Sequence, residues 1–88
     1  MAVYCISYDL KSDNYPALIE SIKAYGLWWH QSESTWFIET SQGTKQILEN
    51  LNRHLIKGDK IIVIKVQRNW WAAGHTEEEY QWMKNRNF

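Results

Sequence analysis

Residues 2–9, AVYCISYD, set Ala2, Tyr4, Ile6 and Tyr8 against Val3, Cys5, Ser7 and Asp9. A period of two in residues that favour extended backbone predicts a strand. Past the polar KSDN the spacing changes. Tyr15, Leu18, Ile19, Ile22 and Tyr25 recur along one face of a helix, with Asp13 or Asn14 to cap it, Pro16 in its first turn and Gly26 at its end. LWWHQ and TWFIET, on either side of SES, read as an antiparallel hairpin. Ile47, Leu48, Leu51 and Leu55 then mark a second amphipathic helix, closed by Gly58, and KIIVIKV forms a fourth strand. That last strand is apolar on both faces, which predicts cover on both sides.

The order strand, helix, strand, strand, helix, strand is that of two split βαβ units. It predicts an α+β fold, the ferredoxin-like βαββαβ sandwich, with the first and third strands central and both helices on one sheet face. Residues 1–68 make up this domain. Residues 69–88 form a tryptophan-rich segment with a helix of its own, since Thr76 and Glu79 have the spacing of a capping box and Glu77 to Glu79 suit the positive end of a helix dipole. The tail is expected to pack across the sheet or onto a partner. One sheet face is left without a helix from the βαβ units, and a second copy of the chain is the simplest cover for it.

Composition sharpens this picture in three places. An 88-residue chain is near the lower limit for folding on its own core, and Cys5, its only cysteine, has no partner for an internal disulfide. A lone thiol within an apolar strand suits a reducing cytoplasm. The start lacks the basic flank and apolar run of a signal peptide, and IIVI is too short to cross a membrane. Net charge is zero but unevenly spread: residues 1–44 carry −3, residues 45–68 carry +4 and the tail −1. This falls short of the dense basic stripe of a dedicated DNA binder. Arg53, Lys57, Lys60, Lys65 and Arg68 are the candidates for phosphate contact, and dimerisation would double them. Six tryptophans, Trp28, Trp29, Trp36, Trp70, Trp71 and Trp82, exceed what one small core buries with every indole N–H paired, so they are expected at an interface or on a stacking surface.

The candidate chemistry starts at Asp9. A strand-end aspartate either caps the following turn or stands ready for a metal ion. Ser7 shares its sheet face and could reach a substrate, or be held by backbone. His30 lies where the hairpin could approach the end of the first strand, as a general base or as an interfacial residue. Asp13 reads as a helix cap or a second ligand, His54 as a boundary residue of the second helix and His75 as a turn residue. No two histidines have a metal-site spacing, one cysteine makes no zinc site, and neither a phosphate-binding glycine loop nor a serine-nucleophile elbow is present.

The segments ISYDL, YGLWWHQSESTWFI and LIKGDKIIVIKV, followed by a short tail, resemble the CRISPR-associated Cas-two superfamily, which includes the virulence-associated protein D ribonucleases. The run YDL…WWH…STW is most similar to small SinR-like bacterial proteins of that fold. The resemblance implies a homodimer in which the first-strand aspartate, here Asp9, meets its symmetry mate, where paired carboxylates could hold Mg²⁺. The pattern departs at KSDNYP, where only Lys11 stands in place of the arginines of members that act on nucleic acid. Three functions follow as expectations. One is a dimeric module that binds nucleic acid or a protein partner in a mobile-element, phage or defence setting. A second is a Mg²⁺-dependent endoribonuclease or other nuclease built on Asp9, and a third is a regulatory or toxin–antitoxin-type interaction protein.

Overall fold

The computed structural model describes residues 1–12 and 15–86. Its elements are β1 (Ala2–Asp9), α1 (Pro16–Lys23), β2 (Trp28–Ser32), β3 (Thr35–Thr40), α2 (Thr44–Asn52), β4 (Lys60–Lys65) and α3 (Glu77–Lys84). The strands pair antiparallel in the order β2-β3-β1-β4. Each βαβ unit is therefore split by a strand of the other, which is the ferredoxin-like arrangement.

Local chemistry sets the element ends. Pro16 occupies the first turn of α1, and the expected caps Asp13 and Asn14 lie outside the described residues. Gly26 takes φ 89° in the turn that leads from α1 into β2, a conformation in which a side chain would be strained. At α2, Gln46 Oε1 accepts the Gly43 N–H at 3.0 Å, satisfying one of the helix's orphan donors. The capping box of α3 forms as its sequence predicts: Thr76 Oγ1 accepts the Glu79 N–H at 3.3 Å, and Glu79 Oε1 accepts the Thr76 N–H at 2.9 Å.

The core lies between α1, α2 and one sheet face. Tyr4 and Ile6 of β1, Trp36 and Ile38 of β3, Leu18 and Ile22 of α1, and Ile47 and Leu51 of α2 are all buried there. Trp36 is 1% exposed and donates its indole N–H to Tyr8 Oη at 2.9 Å. It therefore belongs to the core and not to the interface expected of the tryptophans. Tyr25 ties the ends of this layer together, donating to Gln42 Oε1 at 2.8 Å and accepting from Asn50 Nδ2 at 3.0 Å.

The opposite sheet face carries no helix of the βαβ units. Half of it is covered by the chain itself. α3 lies over the β2–β3 side, where Trp82 meets Trp29 with ring centroids 6.0 Å apart and Met83 is buried. Arg86, just past α3, reaches Glu39 of β3 at 3.3 Å and shields a carboxylate that is itself buried. Val3, on this face of β1, is fully buried. The other half, along β1 and β4, stays open. Here β4 is an edge strand, and Ile62 and Ile64 are 53% and 52% exposed. Among the described residues the expected cover on both faces of β4 is incomplete, because α3 is seated over the far side of the sheet. Doubly apolar patterning reports that both faces avoid water, and it does not say which molecule covers them.

Candidate functional site

The open half is defined by register. Cys5, Ser7 and Asp9 of β1 stand opposite Ile64, Ile62 and Lys60 of β4, and alternation places all six side chains on the same face. The patch thus has an apolar middle and an acid beside a base at one end. Cys5 is half-buried, and burial raises its thiol above the ordinary range, so it behaves as a small apolar side chain.

Asp9 also borders a cleft of about 370 Å³ at the end of β1, and His30, Glu33, Ser12 and Tyr15 line the same cleft. The fold therefore brings Asp9 and His30 to one place, as expected, while Ser7 sits on the open face beside Asp9, Lys60 and Ile62. His30 is held firmly. Its ring stacks on Trp36 at 3.8 Å and 8°, and its Nε2 lies 3.2 Å from the Glu33 carbonyl. Since a carbonyl only accepts, that contact puts a proton on Nε2. Tyr8 Oη approaches the same carbonyl at 3.5 Å.

The turn-capping role considered for Asp9 is performed by Asp59, which pattern reading passed over. Asp59 Oδ1 accepts the Lys11 N–H at 2.8 Å, and Oδ2 accepts the Ile56 N–H at 2.9 Å and the Tyr15 hydroxyl at 2.7 Å. One carboxylate thereby fastens the loop before β4 to the loop after β1. Desolvation works against its ionised form, but the hydrogen bonds from Ile56, Lys11 and Tyr15, with the Lys11 charge, hold its carboxyl below the usual range. Tyr15 is pushed above its ordinary range, first by donating to Asp59 and then by burial and the Asp59 charge. Gly58 takes φ 96° here, and a Cβ on it would stand 3.0 Å from Lys11 Cε. The only local signal was KGDK, an acid directly after a turn glycine.

No three of His, Cys, Asp and Glu among the described residues stand close enough to share a metal ion. Among the described residues Asp9 offers one carboxylate at this face, and Mg²⁺ is commonly held by one or two carboxylates with the rest of its shell water. The five basic candidates are also dispersed. Arg53, at the end of α2, donates from Nε to the Asn50 carbonyl at 2.9 Å. Lys60 and Lys65 stand at opposite ends of β4, about 16 Å apart at strand rise, and their odd spacing turns them to opposite faces. Lys57 lies in the loop before β4 and Arg68 beyond its far end, both exposed.

No family model, curated protein or solved structure matches the chain. The site's chemistry rests on its own geometry.

The remaining tryptophans divide between two surfaces. Trp28, at the rim of the helix-side core, lies 5.4 Å from Trp36 and under the Lys23 ammonium at 5.3 Å. Trp29 stacks on Phe37 at 5.3 Å and lines a second cleft beneath α3 together with Trp70 and Trp71. His75 is part of that aromatic group, edge-on to Trp29 at 5.3 Å. His54 is structural: its Nε2 lies 2.7 Å from Ser21 Oγ, joining α2 to α1, and burial followed by the Arg53 charge lowers its pKa.

Proposed function

We propose that the chain is a homodimeric ferredoxin-like interaction module, at work in a reducing cytoplasm, whose self-association surface is the open half of the sheet. One observation carries this reading. Ile62 and Ile64 stand more than half exposed, side by side on one face of an edge strand. Proteins blunt such edges with charge, proline, bulges or cover, and β4 has lysines only at its ends. A second copy suits the patch because an isologous interface demands self-complementarity. The apolar centre can meet itself, and the acid and base at its end, Asp9 and Lys60, can each meet the other across a two-fold axis. Nucleic acid or a protein partner would then engage the assembled dimer, on which Lys57, Lys65 and Arg68 are doubled. The resemblance to the Cas-two superfamily supports a mobile-element, phage or defence setting.

Sedimentation equilibrium tests the reading. The wild-type chain is expected at about twice its 10.6 kDa mass. Half of each isoleucine remains to be buried, about 1 kcal/mol per side chain. Ile64→Ala removes two of them per dimer and should weaken association by roughly tenfold or more. The double variant Ile62→Lys, Ile64→Lys should be a folded monomer. A wild-type chain that stays at 10.6 kDa at every concentration ends the proposal.

Asp9 favours a second reading, a metal-dependent nuclease. Its carboxylate ends the same open face with Ser7 beside it and His30 in the adjoining cleft. Pairing across that face is what would bring two such carboxylates together.

A further inference from the structure

The cleft beneath α3 is a different kind of site from the open half of the sheet. It has a volume of about 320 Å³, at the small end of the range that holds an organic ligand. Its walls are π faces and edges: Trp29, Trp70, Trp71, His75 and Tyr80, over a floor that includes Phe37 and Met83. The rings brace one another. Trp29 is stacked on Phe37, and His75 stands edge-on both to Trp29 at 5.3 Å and to Tyr80 at 5.8 Å. Tyr80 Oη donates to the Ala72 carbonyl at 3.3 Å, which holds the segment carrying Trp70 and Trp71 against α3. Trp71 is the outlier at 95% exposed, a large apolar indole left in water at the mouth of an aromatic cleft.

One charged group lines this space, the carboxylate of Glu79. The Thr76 N–H lowers its pKa most, burial opposes this, and the Thr76 hydroxyl and His75 add to the lowering, so the group is anionic at neutral pH. The ionised carboxylate can only accept, so His75 donates Nδ1–H to Glu79 Oε2 at 3.3 Å and fixes the ring's orientation in the wall. Among the described residues no lysine or arginine lines the cleft. A nucleotide would bring phosphate to a site whose one full charge is negative, whereas a cation would meet both the ring quadrupoles and the carboxylate.

We propose that the cleft formed by Trp29, Trp70, Trp71, Tyr80 and Glu79 is an aromatic cage that binds an organic cation of the quaternary or methylated ammonium class. Such a cation is too weakly hydrated to prefer bulk water strongly, and its methyl groups fill an apolar space while its charge faces the π surfaces. Trp71 is then the wall that closes on the ligand. This site is independent of the dimer surface, and it gives four of the six tryptophans a role, with Trp82 supporting Trp29 from behind.

Choline is the probe, and its neutral isostere 3,3-dimethylbutan-1-ol is the control. Binding is followed through indole N–H resonances and intrinsic fluorescence. Choline should saturate the signal with a dissociation constant on the order of 1 mM. The isostere should bind at least about tenfold more weakly, since it lacks the charge the cage recognises. Trp71→Ala, at an exposed position where folding loses nothing, should weaken choline by about three- to tenfold. Glu79→Gln keeps the length needed for the capping box and should weaken it by a similar factor, with circular dichroism unchanged. Equal binding of choline and the isostere, an unchanged affinity in Trp71→Ala, or tighter binding of adenosine monophosphate than of choline would each overturn the proposal.

Discussion

Met83 is the side chain through which the tail holds the sheet, so its truncation measures how much of the fold depends on α3. It is 5% exposed, in a helix whose far side faces solvent, and it lies over the face that carries Val3, Phe37 and Trp29. Replacing a buried methionine with alanine costs about 2–5 kcal/mol, from lost transfer energy and the cavity left behind. At roughly 0.05–0.15 kcal/mol per residue the whole chain has only about 4–13 kcal/mol to lose. Met83→Ala should therefore remove about a sixth or more of the stability and lower Tm by about 8 °C or more, given roughly 4–8 °C per kcal/mol in a domain of this size. The assay is urea unfolding followed in parallel by far-ultraviolet circular dichroism and tryptophan fluorescence. Trp29 and Trp82 meet under α3, so fluorescence reports the seat of the helix while dichroism reports the βαβ layers. In the variant the two transitions are expected to separate, with fluorescence moving first as α3 lifts. A loss below about 0.5 kcal/mol, within the range of an ordinary surface change, with coincident transitions would refute the idea that α3 covers the sheet.

Asp59→Asn removes an acceptor that two backbone N–H groups and Tyr15 share, so the variant should melt lower at neutral pH. Because the native carboxyl is held below 3.8, the wild-type advantage is fully present above about pH 3.8 and disappears as pH falls through the lower native value. Melting curves from pH 2 to 7 should converge at the acid end, and parallel curves would show that Asp59 is not the acid-sensitive clasp. If the nuclease reading is right, Mg²⁺- or Mn²⁺-dependent cleavage of RNA or DNA vanishes in Asp9→Asn while the dimer mass is kept. Cleavage that persists in that variant places the activity elsewhere.

The layered part of the fold was open to reading because its signals are local. Alternation in AVYCISYD, helical spacing from Tyr15 to Tyr25, and glycines at 26 and 58 each report a period or a turn within a few residues. What escaped depends on distance along the chain. Asp59 earns its role from Lys11 and Tyr15, 48 and 44 residues away, and nothing in KGDK names them. The contact of Trp82 with Trp29 depends on α3 folding back from the other end of the chain onto β2. Lys60 and Lys65 are neighbours in the sequence, but an odd offset in a strand sends two side chains to opposite faces. The site itself was half legible: Asp9 and His30 were anticipated and do line one cleft, whereas the aromatic cleft draws its walls from both halves of the chain.

Amide hydrogen exchange across a concentration series addresses the open half of the sheet most directly. If a second copy of the chain covers it, protection should rise with concentration in residues 5–9 and 60–65, while α1 and α2 exchange at a constant rate. Exchange that does not depend on concentration, or protection that grows on the helices and leaves β4 unchanged, would contradict the account.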